Sequence, residues 1–178
     1  MLFIQLTGLS GAGKTTIASL AAASLNNQGH PTKVIDGDVY RQTLCRDLGF
    51  SKADRQENIR RLSAVAAETA ASGTIAILSA INPYEDTRCW VEANHQAYTV
   101  WISCPLDVLM QRDTKGLYKR AMLPDEDPLK IHNLTGVDDP YEIPVQPALM
   151  LSTHLESSTD SATRLVVFIL QQIKVLGR

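Results

Sequence analysis

The chain has 178 residues and a net charge of −2 at pH 7, and 44% of its residues are hydrophobic. This length predicts a single domain over residues 1–178 with enough apolar residues for a buried core. The near-neutral charge offers no basic footprint for nucleic acid, and no apolar run approaches the ~20 residues that cross a membrane. We therefore expect neither a nucleic-acid partner nor a membrane partner.

The first motif is a glycine-rich loop between a short apolar strand, predicted over residues 2–6, and an Ala- and Leu-rich helix over 17–25. This order is the context in which G-x-x-x-x-G-K-[ST] binds phosphate. Glycines let successive N–H groups face an anion. Lys14 can reach the β- and γ-phosphates, and the Thr15 hydroxyl can ligate Mg²⁺. The motif predicts a bound nucleoside triphosphate that contacts Gly8, Ser10, Gly11, Ala12, Gly13, Lys14, Thr15 and Thr16.

Strand and helix patterns alternate along the rest of the chain. We predict strands over residues 33–35, 74–78, 97–102 and 149–152, and helices over 39–48, 55–72, 106–111 and 158–175. The third helix has a start signal at Ser51–Asp54. Five strands alternating with helices predict a three-layer α/β/α fold of the P-loop NTPase type, with a five-stranded parallel sheet.

Residues 113–147 interrupt this alternation. They hold five of the eight prolines and show no clear periodicity. A segment this long is usually functional or disordered. Beside a nucleotide site, the sequence favours a lid that closes over the substrates above an inert surface insertion.

Ligands of a parallel sheet sit beyond the carboxyl ends of its strands. Asp36 and Asp38 follow the second strand, so one could hold Mg²⁺ through water and the other could accept a proton from an attacking hydroxyl. One of the two could instead be the N-cap of the next helix, and Asp38, directly before Val39, could fill that role in addition to its other one. Arg41 and Arg55 lie near helix starts and are placed to face an anion, whereas Arg60 and Arg61 fit a solvated face or acidic partners.

At this point the chain resembles the adenylylsulfate (APS) kinase family. The matching blocks run in family order over about residues 2–147: the phosphate loop, D-G-D at 36–38, D-L-G-F-S at 47–51, D-R-Q-E-N-I-R-R at 54–61, P-Y at 83–84, R-D-T-K-G-L-Y-K at 112–119 and T-G-V-D-D-P-Y-E at 135–142. The resemblance implies ATP- and Mg²⁺-dependent phosphorylation of the ribose 3′-hydroxyl of adenylylsulfate, a step of sulfate assimilation.

The resemblance also implies roles for single residues. Lys14, Asp38 and Arg41 are the implied catalytic residues, with Asp38 at the acceptor hydroxyl, which leaves Asp36 beside Thr15 as the metal residue. Arg112 matches an arginine near the ATP base, and Phe50 matches the aromatic ring that stacks on the acceptor's adenine. The implied acceptor contacts are Asp38, Arg41, Phe50, Arg55, Asn58, Ile81, Asn82, Lys115 and Leu134.

Several positions depart from the family pattern. Asn82 stands where the family usually has serine in I-S-P-Y, and Leu134 replaces the phenylalanine on the other side of the adenine. Val39, Glu85 and a longer acidic segment at 121–130 also differ. An alternative is therefore a kinase of the same fold that acts on another nucleotide-linked anion, such as a cytidine diphosphate conjugate. A GTPase is disfavoured because no N-K-x-D guanine motif is present.

The three cysteines, Cys45, Cys89 and Cys104, show neither C-x-x-C pairing nor metal spacing. The sequence favours reduced cysteines without a functional role above cysteines that control the enzyme by oxidation. Because the first strand leads straight into the phosphate loop, we expect no signal peptide and a cytoplasmic enzyme. The sequence leaves the assembly open, with a homodimer among the options.

Overall fold

The computed structural model describes residues 2–176 and confirms the predicted parallel sheet. Its elements are β1 (Phe3–Thr7), α1 (Lys14–Asn27), β2 (Thr32–Asp36), α2 (Gly37–Tyr40), α3 (Lys52–Ala71), β3 (Ile75–Ser79), α4 (Glu85–His95), β4 (Tyr98–Ser103), α5 (Leu106–Arg112), α6 (Leu117–Ala121), β5 (Leu149–Ser152) and α7 (Ser158–Leu176). The five strands are all parallel, in the order β2-β3-β1-β4-β5.

Two apolar clusters cover the two faces of the sheet. Ile4 and Leu6 of β1 belong to the cluster that packs under α1 and α7. Phe3, on the opposite side of the same strand, belongs to the cluster that packs under α3 and α4. Because successive side chains of a strand point to opposite faces, β1 is covered on both sides. Because β1 is also the middle strand of the sheet, its carboxyl end lies at the centre of the edge where parallel sheets bind ligands.

Helix α3 begins where the sequence predicted. Ser51 is its N-cap, its Oγ accepting from the backbone N–H of Asp54, while the Asp54 carboxylate accepts from the N–H of Ser51. This reciprocal pair satisfies two of the backbone donors that a helix start leaves free. Of the two alternatives for Arg60 and Arg61, a solvated face or acidic partners, the structure shows acidic partners, since both contact Glu57 and Arg61 forms a second ion pair with Asp47.

The helix predicted over residues 39–48 is wrong. Helix α2 ends at Tyr40, and turns follow through residue 47. The Tyr40 carbonyl accepts from the N–H groups of Thr43 and Cys45, and this turn buries Cys45 completely. Burial of that side chain stabilises the turn, which also brings Asp47 beside Arg61.

Two helices lie where the sequence pattern predicted none. Helix α4 has little apolar content, and its signals are Glu85 and Asp86 in the first turn and His95 in the last. Helix α6 lies inside the predicted lid, and its Tyr118 and Ala121 are buried in the apolar cluster under α1 and α7. The segment 113–147 is thus partly anchored to the body of the protein. No helix among residues 2–176 is long and apolar enough to cross a membrane.

Candidate active site

The phosphate loop leads into a helix whose N-terminus has no side-chain cap. Gly13 precedes α1 with φ of +98°, and no side chain accepts from the first N–H groups. Gly8 has no room for a Cβ atom, which would collide with the carbonyl of Ile102. Free N–H groups and the positive end of the helix dipole favour an anion at this position.

Lys14 is buried at the start of α1. Its Nζ donates to the carbonyl oxygens of Gly8 and Leu9, each at 2.8 Å. Burial, which is the largest cause, and the neighbouring Lys115 lower the pKa of Lys14 to about 8, against the opposing effect of Asp38 and Asp36. A desolvated ammonium held by only two carbonyls gains from an anionic ligand, because nearby negative charge favours the charged form.

Oxygen ligands suited to Mg²⁺ lie directly beside the loop. The Thr15 hydroxyl donates to Asp36 Oδ2 at 2.7 Å and lies 3.4 Å from Ser79 Oγ. Mg²⁺ commonly uses one or two protein oxygens together with water and substrate phosphates, so Thr15 and Asp36 fit the ion. Asp36, and not Asp38, is the N-cap of α2, because its Oδ1 accepts from the N–H groups of Asp38 and Val39.

Two cavities meet at the carboxyl edge of the sheet. The first, of about 230 Å³, is lined by the phosphate loop, Asp36 and Lys115 among others. The second, of about 380 Å³, is lined by Arg41, Phe50, Arg55 and other residues of α3 and the preceding turns. Asp38, Ala80 and Ile81 line both cavities. A ligand in each cavity would therefore meet the other at Asp38.

The second cavity combines positive charge with an exposed aromatic ring. Phe50 is 57% exposed, and the guanidinium carbons of Arg41 and Arg55 lie 4.8 and 5.5 Å from its ring centroid. Arg55 pairs with Asp139 at 2.9 Å, whereas Arg41 donates, among residues 2–176, only to the carbonyls of Leu48 and Gly49. Burial and the neighbouring Arg55 lower the pKa of Arg41. These contacts favour an anion with a flat ring attached.

The predicted acceptor residues are only partly brought together. Asn58, Ile81 and Asn82 line the second cavity with Arg41, Phe50 and Arg55. In the part of the chain that the structure describes, Leu134 lines neither cavity. Its side chain is 8% exposed and packs into the apolar cluster under α1 and α7. The Asn82 amide points inward to Gln5. Asn58 keeps a buried Oδ1 without a hydrogen-bond partner.

The predicted lid contacts the site through Lys115 and Tyr118, and Arg112 lies directly before it. Lys115 forms an ion pair with Asp38 at 2.6 Å. The Tyr118 hydroxyl, which the sequence analysis did not assign to the site, donates to the carbonyl of Ser10 at 2.8 Å. Arg112 donates to the carbonyl of Thr153 and lines a small recess next to Ser10. The segment thus contacts both the phosphate loop and the group shared by the two cavities.

Comparisons with known proteins identify the family of the chain. Residues 1–152 match the family model described as adenylylsulphate kinase. The chain is 46% identical to an adenylyl-sulfate kinase of Chloroflexus aurantiacus over 157 residues, covering 88% of this chain and 82% of that protein. It is 43% identical to one of Rippkaea orientalis, covering 98% and 92%.

A solved structure is similar over nearly the whole chain. It is the Mycobacterium tuberculosis APS kinase CysC in complex with AMPPNP and APS, with a TM-score of 0.87 and 36% identity, covering 94% of this chain and 96% of that one.

Proposed function

Because the chain belongs to the adenylylsulphate kinase family, we propose that its two cavities bind ATP and adenylylsulfate and that γ-phosphoryl transfer occurs between them. The protein is an ATP-dependent kinase that forms the 3′-phosphate of adenylylsulfate, as in sulfate assimilation. The observation that carries the assignment of roles is the position of Asp38, which lines both cavities.

On the donor side, we propose that the phosphate loop holds the triphosphate. The contacts are Gly8, Ser10, Gly11, Ala12, Gly13, Lys14, Thr15 and Thr16, with Arg112 at the base end. Lys14 neutralises charge that develops on the transferring group. Thr15 and Asp36 hold Mg²⁺, which supplies charge neutralisation on the phosphate oxygens when bound.

On the acceptor side, Asp38 takes the proton of the 3′-hydroxyl. The bond between O3′ and the γ-phosphorus forms as the bond from that phosphorus to the bridging oxygen breaks, and ADP leaves. In-line transfer depends chiefly on positioning and charge. Arg41 and Arg55 supply both for the acceptor, because their guanidinium groups bind the anionic phosphosulfate. Phe50 stacks on the adenine, Asn58, Ile81 and Asn82 complete the pocket wall, and Lys115 covers the reacting groups.

Leu134 would reach the base opposite Phe50 only after a rearrangement of the lid segment, since its side chain is buried in the core of this structure. We propose that residues 1–178 form one kinase domain with this lid over 113–147. We also propose a homodimer, which sedimentation equilibrium tests. We place the enzyme in the cytoplasm, because it uses ATP and Cys45, Cys89 and Cys104 are all free thiols.

An acceptor panel with ATP and Mg²⁺ tests the acceptor assignment. The panel contains adenylylsulfate, its 3′-deoxy analogue, and cytidine and uridine diphosphate conjugates, with ADP release as the readout. We expect turnover with adenylylsulfate and none with the 3′-deoxy analogue, which lacks the attacking oxygen. A kcat/KM for a pyrimidine conjugate more than about tenfold above that for adenylylsulfate, a gap of about 1.4 kcal/mol, would assign the alternative acceptor instead.

A further inference from the structure

A buried pair of amides links the central strand to the wall of the acceptor cavity. Gln5 lies in β1 and is 1% exposed, and Asn82 follows β3 and is 3% exposed. Asn82 Nδ2 donates to Gln5 Oε1 at 3.0 Å. A buried amide is costly unless its polar atoms are paired, and Asn82 Oδ1 is buried without a hydrogen-bond partner among the described residues. The pair therefore has a reason other than packing.

The partners of Gln5 fix which way both amides point. Gln5 Nε2 donates to the carbonyl oxygen of Arg88 at 3.1 Å and to Thr99 Oγ1 at 2.8 Å. A backbone carbonyl can only accept, so Nε2 must face Arg88 and Oε1 must face Asn82. Thr99 in turn donates to Glu92. The donors thus run in one direction, from Asn82 through Gln5 and Thr99 to a carboxylate, an arrangement in which each bond strengthens the next.

The backbone of Asn82 is held directly after Ile81, which lines both cavities. The Thr7 hydroxyl bonds the carbonyls of Ile81 and Asn82, and the N–H of Gly8, the first residue of the phosphate loop, donates to Ile81. Arg88, 1% exposed, donates to the Asn82 carbonyl at 2.7 Å. Asn82 has φ of +42°, a conformation that asparagine adopts more readily than most residues. The loop that ends the third strand is therefore fixed relative to the phosphate loop.

We infer that Gln5 is a positioning residue for the acceptor, acting through Asn82. The Gln5 amide holds Asn82 in its left-handed conformation and so sets the distance between the acceptor wall and the phosphate loop. Gln5 itself lines neither cavity among the described residues. The identity of the acceptor rests on the proposed function, whereas the positioning role rests on the hydrogen bonds alone.

The test replaces Gln5 with methionine, which keeps the length of the side chain and removes the amide. Steady-state kinetics then give separate KM values for ATP and for the acceptor. Loss of the amide leaves Asn82 Nδ2 buried without an acceptor. We expect the acceptor KM of Gln5→Met to rise about tenfold and the ATP KM to stay within about twofold of wild type, a split that a general loss of folded enzyme does not produce.

A double-mutant cycle identifies the route of the effect. In Asn82→Gly, glycine keeps the positive φ and removes the amide, so adding Gln5→Met should change the acceptor KM by less than about twofold. Phe3→Leu is the matched control, a core change in the same strand that should lower the melting temperature and leave both KM values unchanged. If Gln5→Met does not fold, Thr99→Val breaks the next hydrogen bond and should shift the acceptor KM in the same direction.

Three results would overturn the inference. They are an acceptor KM within about twofold of wild type in Gln5→Met, an equal rise of both KM values, or an unchanged Gln5→Met effect in the Asn82→Gly background. Wild-type turnover with adenylylsulfate separates this outcome from the proposed function. If wild type uses a different acceptor from the panel, the proposed function fails, and the same ratios are measured with that acceptor.

Discussion

The ammonium group of Lys115 donates a 2.6 Å hydrogen bond to Oδ2 of Asp38. The two residues are 77 positions apart in the chain, and both side chains are exposed. An exposed ion pair contributes at most about 1 kcal/mol, so an incoming ligand can separate it at little cost. In this structure, therefore, Asp38, the proposed base, is paired with Lys115, and a bound acceptor would contact both side chains.

Replacing Lys115 with alanine should lower kcat, because the lid then brings no charge to the reacting phosphoryl group. The melting temperature should barely change, since the pair is exposed. Lys119→Ala is the control: Lys119 is an exposed lysine of α6, and the salt bridges of the described residues do not include it. Steady-state kinetics and thermal unfolding of both variants check this. A Lys115→Ala kcat equal to that of Lys119→Ala would contradict the role of Lys115.

The pKa of Lys14 predicts a pH dependence of ATP capture. Since burial lowers that pKa to about 8, the free enzyme loses the ammonium above that pH, and kcat/KM for ATP should fall there. Bound phosphates favour the charged form, so kcat should fall only at higher pH. Rate profiles separate the two, because kcat/KM reports the free enzyme and kcat the complex. A kcat/KM for ATP that stays flat to about pH 10 would exclude this assignment.

The same shift affects stability with a defined sign. The folded-state pKa of Lys14, about 8, lies below the ordinary lysine value of 10.5, so the unfolded chain binds this proton more tightly. The contribution of Lys14 to the free energy of unfolding should therefore increase as pH rises from about 8 to 10.5, and be lost again below that range. Urea unfolding of wild type and Lys14→Met across this range checks the sign, since the variant lacks the titrating group.

The lid should gain protection in its exposed part when both ligands bind. Met122 and Leu129 are exposed, whereas Tyr118 of α6 is buried against the phosphate loop. Hydrogen exchange with and without an ATP analogue and adenylylsulfate should show slower exchange over residues 122–133 and similar protection of α6 in both states. Equal protection over the whole of residues 113–147 in both states would contradict the lid and support the alternative, an inert surface insertion.

Phosphoryl transfer should be direct. Asn82 has no hydroxyl to phosphorylate, and the serine three positions earlier, Ser79, lies beside Thr15 on the donor side. Intact-mass spectrometry after incubation with ATP alone should show no added phosphate, in wild type and in a Ser79→Ala control alike. A stoichiometric adduct in wild type that passes to the acceptor would contradict the direct mechanism.

The sequence predicted the donor side well for a physical reason. Glycine spacing determines the shape of the phosphate loop, and parallel strands bring their carboxyl ends to one edge, so Lys14, Thr15 and Asp36 were expected together. Their hydrogen bonds confirm that proximity. These contacts are local, or follow from the order of strands, and a linear pattern carries both kinds of information.

The supporting contacts of the acceptor side could not be predicted in this way. Gln5 contacts residues 77 to 94 positions away, and its position in a short apolar strand gives no hint of a polar role. Arg88 resembles a surface arginine of a polar helix, yet it is buried because Glu85, one turn earlier, pairs with it at 2.6 Å. Leu134 was expected at the base, but its apolar side chain is buried in the core. Such long-range choices depend on the assembled fold.

The rate of single-turnover phosphoryl transfer by Asp38→Asn tests most directly whether Asp38, which lines both cavities, is the general base. The amide keeps the shape of the side chain and removes its capacity to take the proton of the 3′-hydroxyl. We predict a fall of about 10²–10⁴-fold in the transfer rate, with the affinity for an ATP analogue and Mg²⁺ little changed. Asp36→Asn serves as the comparison, and it should weaken Mg²⁺-dependent ATP binding instead. A transfer rate for Asp38→Asn close to wild type, or a loss of ATP affinity as its main defect, would contradict the assignment.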